Sequence, residues 1–256
     1  MKRFQDIAGS KSPIIGLTDE YRPGFTDPRH SHAKSQLLYA SRGVMSVVTP
    51  SANFVIPPQR ALWIPGETDH EVSCRGEVSL RTLYVDPAIK VFPHCKVVEV
   101  TDFLKALIIE AASFDSGYEP ESREGRITAL LIGEIQNMAV APYSVHMPED
   151  HRLLRVCKSF IANPSDQRDL DAWASVAGMS RRTFTRLFKN EAGVGWGTWR
   201  QQVQLMEAVA LLGAGRRVTD VAFSLGYESP SAFTAMFRRF FGVPPTKFSA
   251  KRRERD

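Results

Sequence analysis

Apolar side chains between Leu37 and Asp86 recur in short runs rich in β-branched and aromatic residues. Leu37-Leu38-Tyr39, Val44–Thr49, Asn53–Ile56, Ala61–Ile64 and Val78–Val85 are the clearest of these, and their composition predicts strands. Gly43, Pro50, Pro57, Pro58, Pro65, Gly66 and Gly76 punctuate them. Short strands spaced about 8–12 residues apart predict a sandwich or small barrel.

Beyond Pro93 the period changes to that of a helix. Phe103, Leu104, Leu107, Ile108 and Ala111 share one helical face, and Ile127, Leu130, Leu131, Ile135 and Met138 share another. Thr101 or Asp102 can cap the first helix and Ser122 the second. Pro142 should end the second, because proline lacks the amide hydrogen a helix needs. The pair could pack on the strands, or it could form a homodimer interface. Residues 96–147 are therefore read as a helical pair and linker, between a β module at 1–95 and a helical module at 148–256.

Charge sharpens that division. The chain has 256 residues and a formal net charge of +5. Residues 1–150 hold 15 basic and 19 acidic side chains, whereas residues 151–256 hold 18 basic and 9 acidic. A basic C-terminal module beside an acidic body points to a polyanionic partner for the former. No apolar run approaches the roughly 18–20 residues of a membrane span, and the N-terminus lacks the apolar stretch of a signal peptide. Cys74, Cys95 and Cys157 are far apart and form no C-x-x-C pair. That fits a reduced, cytoplasmic chain, not a disulfide or cysteine–zinc framework.

The C-terminal module repeats itself. Ala174, Gly178 and Met179 recur as Ala222, Gly226 and Tyr227 at an offset of 48. One insertion later, Ser180, Phe184, Thr185, Phe188 and Lys189 recur as Ser229, Phe233, Thr234, Phe237 and Arg238. Each copy reads as a short helix, a glycine turn, a capping serine and a second helix. Thr219 can cap the short helix of the second copy, and Pro230 suits a first helical position. This is helix-turn-helix patterning, whose second helix enters the DNA major groove.

The segment Asp220-Val221-Ala222-Phe223-Ser224-Leu225-Gly226-Tyr227-Glu228-Ser229-Pro230-Ser231-Ala232-Phe233, followed by Phe237-Arg238-Arg239-Phe240-Phe241-Gly242-Val243-Pro244-Pro245, resembles the signature of the AraC/XylS transcription regulators. With the first copy, the resemblance covers about 100 residues. It implies two helix-turn-helix units joined by a long helix near Thr198–Leu212, bound to double-stranded DNA. The groove-facing side of copy one would carry Arg181, Arg182, Thr185 and Arg186 behind the cap Ser180, with Lys189 on phosphate. Copy two would present Pro230, Ser231 and Thr234 behind Ser229, with Arg238 and Arg239 as phosphate anchors. Arginine can bind guanine in bidentate fashion, so copy one should read bases more directly. Ser249 stands where the family pattern leads one to expect arginine, and Lys251, Arg252 and Arg253 could take that role.

In the front module, His30-x-His32 precedes Gln36 and Gly43, and Pro65 precedes His70 by five residues. This spacing resembles the two cupin motifs, which implies a small β-barrel with a divalent metal on His30, His32, Gln36 and His70. Two histidines spaced by two on a strand would share a face, and imidazoles with an oxygen ligand suit Zn, Fe, Mn, Ni or Cu. Gln36 stands where the motif usually has glutamate, and Glu67 where it has glycine. The histidines could instead line an organic effector pocket with Leu38, Met45, Val47, Phe54 and Trp63, residues that equally suit a barrel core.

The expected fold is a multi-domain α+β chain, with a cupin-like β-barrel, accessory helices and an all-α double helix-turn-helix. The expected function is sequence-specific DNA-binding transcription regulation in response to a small-molecule effector. The alternative is a metal-dependent cupin enzyme fused to a DNA-targeting domain.

Overall fold

A computed structural model describes residues 12–56, 60–115, 117–141 and 144–248. Pro57, Pro58, Pro142, Ser249, Lys251, Arg252 and Arg253 lie outside the described residues. The strands are β1 (Ile14–Tyr21), β2 (Thr26–His30), β3 (Ser35–Val48), β4 (Ala52–Ile56), β5 (Arg60–Ile64), β6 (His70–Val85), β7 (Lys96–Glu99) and β8 (Ser144–His146). The helices are α1 (Asp102–Ala111), α2 (Arg123–Gln136), α3 (His151–Ala162), α4 (Leu170–Val176), α5 (Arg181–Ala192), α6 (Trp196–Gly213), α7 (Val218–Ser224) and α8 (Pro230–Phe241). The chain forms two compact units. One runs to Thr49 and resumes from Ile56 to residue 141, and the other takes Pro50–Val55 and Ser144 onward.

The spine of the first unit is the antiparallel pair β3–β6, in register from Ser35↔Val85 to Val48↔Glu71. On the far edge of β6 lie β1, from Ile14↔Val85 to Tyr21↔Val78, and then β2, beginning at Thr26↔Ser73. On the far edge of β3 lies β5, which carries β7 in turn. The two runs expected at 37–39 and 44–49 are therefore one bent strand. Gly43, at φ 92°, sits where the register with β6 shifts, so it makes a bulge and not a strand end.

The barrel expected from the strand spacing is not closed: among the described residues no ladder joins β1 back to β7. Helices cover the exposed apolar face of the sheet instead. Leu37, Tyr39, Trp63, Leu83 and Val85 pack with Leu104, Leu107, Ile108 and Ala111 of α1, and with Leu131 and Ile135 of α2. Gly16 permits this, because a Cβ there would stand 2.3 Å from Ala112 Cα, just past the end of α1. Thr101 caps α1 and Ser122 caps α2, each accepting a backbone N–H three residues on. Phe103 and Leu130, read above as part of the apolar faces, are 53% and 57% exposed. The buried stripe centres one residue later in each case, on Leu104 and Leu131.

In the second unit β8 pairs with β4, and the two helix pairs α4/α5 and α7/α8 repeat one geometry. Each couples a helix of 7 residues to one of 12. Ser180 and Ser229 accept the N–H of Thr183 and Ala232, each at 3.2 Å. Gly178 and Gly226 make the turns at φ 67° and 82°, a region in which side chains other than glycine are strained. Thr219 is not the cap of α7: the helix begins a residue earlier, at Val218, with Arg217 in the cap position and no side-chain cap bond. Between the pairs runs α6, whose 18 residues span about 27 Å at 1.5 Å per residue. Phe160, Trp173, Phe184, Phe188, Trp196 and Trp199 form one aromatic core around the first pair. Tyr227, Phe233, Phe237, Phe241 and Phe248 serve the second.

Candidate nucleic-acid interface and histidine cluster

Helix α5 is amphipathic in the sense a groove-reading helix requires. Phe184, Phe188 and Ala192 are buried, while Arg181, Arg182, Thr185, Arg186 and Lys189 are exposed. Those five line one concave surface with Asn190. The cap at Ser180 and the turn at Gly178 fix the direction in which the helix leaves α4. Arg181 is partly spoken for, since its Nη1 lies 3.0 Å from Asp171 Oδ2 on α4. Among the described residues no ion pair engages Arg182, Arg186 or Lys189, so their donors face solvent.

The corresponding face of α8 has a different chemistry. Ser231 is exposed and Thr234 half-buried near its start, Pro230 opens the helix, and Arg238 and Arg239 are exposed in its last turn. Long donors thus stand along the whole of α5 but only at the C-terminal end of α8. Two arginines brace the scaffold beneath through backbone and ring contacts, Arg200 half-buried and Arg168 exposed. Arg200 donates from Nη2 to Asp166 O at 2.6 Å and lies over the Phe160 ring, and Arg168 lies 3.9 Å from the centre of the Trp173 ring.

In the first unit the structure brings His30, His32 and His70 together, with their ligand atoms within 4.8 Å of one another. His30 closes β2 and His70 opens β6, where the two are register partners. His32 is not on the strand, as the two-residue spacing suggested. It lies in the loop that follows, which is turned back by the hydrogen bond from Glu67 N to His32 O at 2.8 Å. Glu67 holds that contact at φ 62°, a left-handed conformation glycine adopts more easily.

Each imidazole is oriented by a backbone carbonyl. Nδ1 of His30, His32 and His70 stands 2.8, 2.6 and 2.8 Å from the carbonyl oxygens of Pro28, Lys34 and Thr68. A carbonyl only accepts, so each Nδ1 carries the proton, and a neutral ring then leaves its Nε2 lone pair bare. His70 Nε2 is buried with no hydrogen-bond partner among the described residues. Burial pushes the His70 pKa down to about 4, with its neighbours His30 and His32 adding to the effect against the bond to Thr68.

Gln36 completes the cluster. Thr82 donates to Leu37 O at 3.2 Å, so its oxygen accepts from Gln36 Nε2 at 3.0 Å. That relay fixes which end of the amide faces inward, and Oε1 stands 3.3 Å from His32 Nε2. At the outer side, Asp27 Oδ2 lies 3.8 Å from His30 Nε2. The Tyr84 ring meets His32 edge-on, and burial pushes its hydroxyl up to about 12.

The residues expected to line an effector pocket are not gathered. Leu38 and Met45 are buried in β3, but Trp63 pairs with Leu37 and lies on the opposite, helix-covered face of the sheet. Phe54 pairs with Ser144 in the second unit. Sequence reading missed Thr82 and Asp27; the alternation of β6, in which Thr82, Tyr84 and Leu80 oppose Leu83 and Val85, is the pattern that could have pointed to Thr82.

A helical unit presenting a basic, capped helix after a tight turn defines a DNA-binding protein. Residues 173–251 match the helix-turn-helix domain family. The chain is 31% identical over 237 residues to the HTH-type transcriptional regulator NimR of Escherichia coli K12, which covers 91% of this chain and 85% of NimR. It is 25% identical over 140 residues to the arabinose operon regulatory protein of Salmonella typhimurium, covering 53% of this chain and 50% of that one. Among solved structures, ToxT from Vibrio cholerae aligns over 93% of this chain and 98% of its own, at 9% identity and a TM-score of 0.40. The chain belongs to the AraC/XylS family of helix-turn-helix transcriptional regulators, and it is a DNA-binding transcription regulator. No helix among the described residues is long and apolar enough to cross a membrane.

Proposed function

We propose that both helix pairs of the second unit are DNA-reading helix-turn-helix units, set on α6 to enter successive major grooves, with α5 supplying most of the base readout. The observation that carries this is the exposed row Arg182, Arg186 and Lys189 on α5, set against the short side chains Ser231 and Thr234 on α8. Arginine at a groove-facing position can take guanine O6 and N7 together, whereas serine and threonine discriminate less. Copy two then anchors through Arg238 and Arg239 on phosphate and reads DNA shape.

The sheet unit, in this reading, is a cupin-like sensor whose small-molecule effector biases how the second unit engages DNA. Such coupling requires that effector and DNA favour the same state of the chain. Support comes from the family's regulators, and from a cluster of polar side chains at Gln36, Thr82 and the three histidines inside an otherwise apolar sheet. Selection of bound sequences from a random DNA library tests the proposal. A site with two half-elements about one helical turn apart, the stronger element lost on substitution of Arg182 and Arg186, is expected. Recovery of a single short element, unchanged by those substitutions, contradicts it.

A further inference from the structure

We propose that Gln204 is a positioning residue that fixes the separation of α5 and α8, and through it the spacing of the DNA elements the protein selects. That role rests on the reading above, in which both helix pairs address DNA. Helices α5 and α8 can read two elements together only if their pairs keep one relative placement. Each pair is built on its own aromatic residues, and the second leaves α6 through a turn at Gly215, φ 85°. A polar clamp on one face of α6 ties the two pairs to each other.

Arg200 and Gln204 stand four residues apart on α6 and therefore share a face. Both reach the loop between α3 and α4, which sets where the first pair begins. Arg200 donates from Nη2 to Asp166 O at 2.6 Å and from Nη1 to Arg168 O at 3.2 Å. Gln204 Nε2 donates to Pro164 O at 3.0 Å. The same nitrogen donates to Leu225 O at 3.1 Å, at the C-terminal end of α7 in the second pair. A primary amide has two N–H groups, and here each finds a carbonyl, which also fixes which end of the amide is nitrogen. One half-buried side chain thus bridges the entry to the first pair and the turn of the second.

The loop and the turn also meet directly. Gly226 follows Leu225 at φ 82°, and a Cβ there would stand 2.2 Å from Gln167 Nε2. Gln167 is held in place by donating to Ser165 O at 3.0 Å. Gly226 therefore makes the turn of the second pair and admits the loop of the first. For the pairs to change separation, both Gln204 bonds must break, each worth roughly two- to tenfold in an equilibrium constant. The basic side chains of α5 and α8 add affinity at any spacing, whereas the clamp adds the choice between spacings.

The test takes the site recovered by library selection and rebuilds it with one base pair inserted or deleted between its half-elements. Binding of the full-length protein is measured on each, with circular dichroism to confirm folding. Gln204→Met keeps the length of the side chain and removes both donors, and Gln204→Arg keeps donors for two carbonyls. Wild type should prefer the selected spacing by more than tenfold. Gln204→Met should lower that preference about tenfold, Gln204→Arg should retain most of it, and affinity for one isolated half-element should stay within about twofold in both. If Gln204→Met does not fold, Gln167→Ala, at an exposed position, replaces it and should lower the preference about threefold. Wild type indifferent to spacing, or a folded donor-free variant with the wild-type preference, overturns the proposal and leaves the two-element reading standing. Equal loss in Gln204→Met and Gln204→Arg assigns the effect to packing and overturns the role of the amide. Recovery of a single element from the library overturns both readings.

Discussion

Arg182 and Lys189 stand two turns apart on α5, and their chemistry separates base reading from charge. A planar guanidinium can take two acceptors of one guanine, whereas an ammonium acts mainly as a point charge on phosphate. Arg182→Ala is therefore expected to cost about 1–3 kcal/mol at one base position and to relax preference there. Lys189→Ala should weaken all sequences alike and lower the salt slope by about one. Binding measured against a panel of single-base variants at two salt concentrations checks both. Arg181 differs from its neighbour only in context, since Asp171 already engages it. That distinction could not be read from the run Arg181-Arg182, because it depends on where α4 sits. The three histidines were legible as a spacing, but the tautomers were not: Pro28, Lys34 and Thr68 carbonyls decide them, and only the folded loops put those oxygens in place.

At the scale of elements, α3 is capped by Asp150, whose carboxylate accepts Arg152 N at 2.9 Å and pairs with the Arg152 guanidinium at 2.7 Å. The Asp150 backbone N–H donates to Glu191 at 2.8 Å, tying the start of α3 to the last turn of α5. Arg152 holds the Asp150 carboxyl well below the usual carboxylate range. A group whose folded pKa lies below its unfolded value stabilises the fold above that unfolded value and loses the effect as pH falls. The wild-type melting temperature should therefore drop more steeply below about pH 4 than that of Asp150→Asn, which has no such proton to gain. Thermal unfolding across that range checks it. The repeat of helices of 7 and 12 residues was visible in the sequence because caps, turns and core aromatics are local signals with fixed offsets. The start of α7 was not, since no side chain caps it and Thr219 offered a plausible cap two residues too late. The strands fared less well: β1 and β2 went unread because β1 begins apolar and ends alternating, and β2 is mostly polar.

At the scale of the whole molecule, charge predicts how binding responds to salt. Of the 18 basic side chains in residues 151–256, Arg181, Arg182, Arg186, Lys189, Arg238 and Arg239 stand exposed on α5 and α8, where they can replace counterions on DNA. The logarithm of the binding constant should fall linearly with that of salt, at about 0.9 per phosphate neutralised. Titrating a selected site between low and physiological salt measures the slope, and a flat response would separate affinity from these helices. The division of the chain into a sheet-bearing half and a basic helical half was determined by the sequence itself, as was the duplicated helical motif. Both rest on periodicity and composition, which act over neighbouring residues. Tertiary structure alone decided that the barrel stays open, that α1 and α2 cover the sheet where Gly16 admits them, and that Trp63 faces those helices and not the histidines. It also decided that residues 50–55 join the second unit and that Gln36 turns its oxygen inward. Each of these depends on which distant segment fills a given face, and local sequence carries no record of that choice.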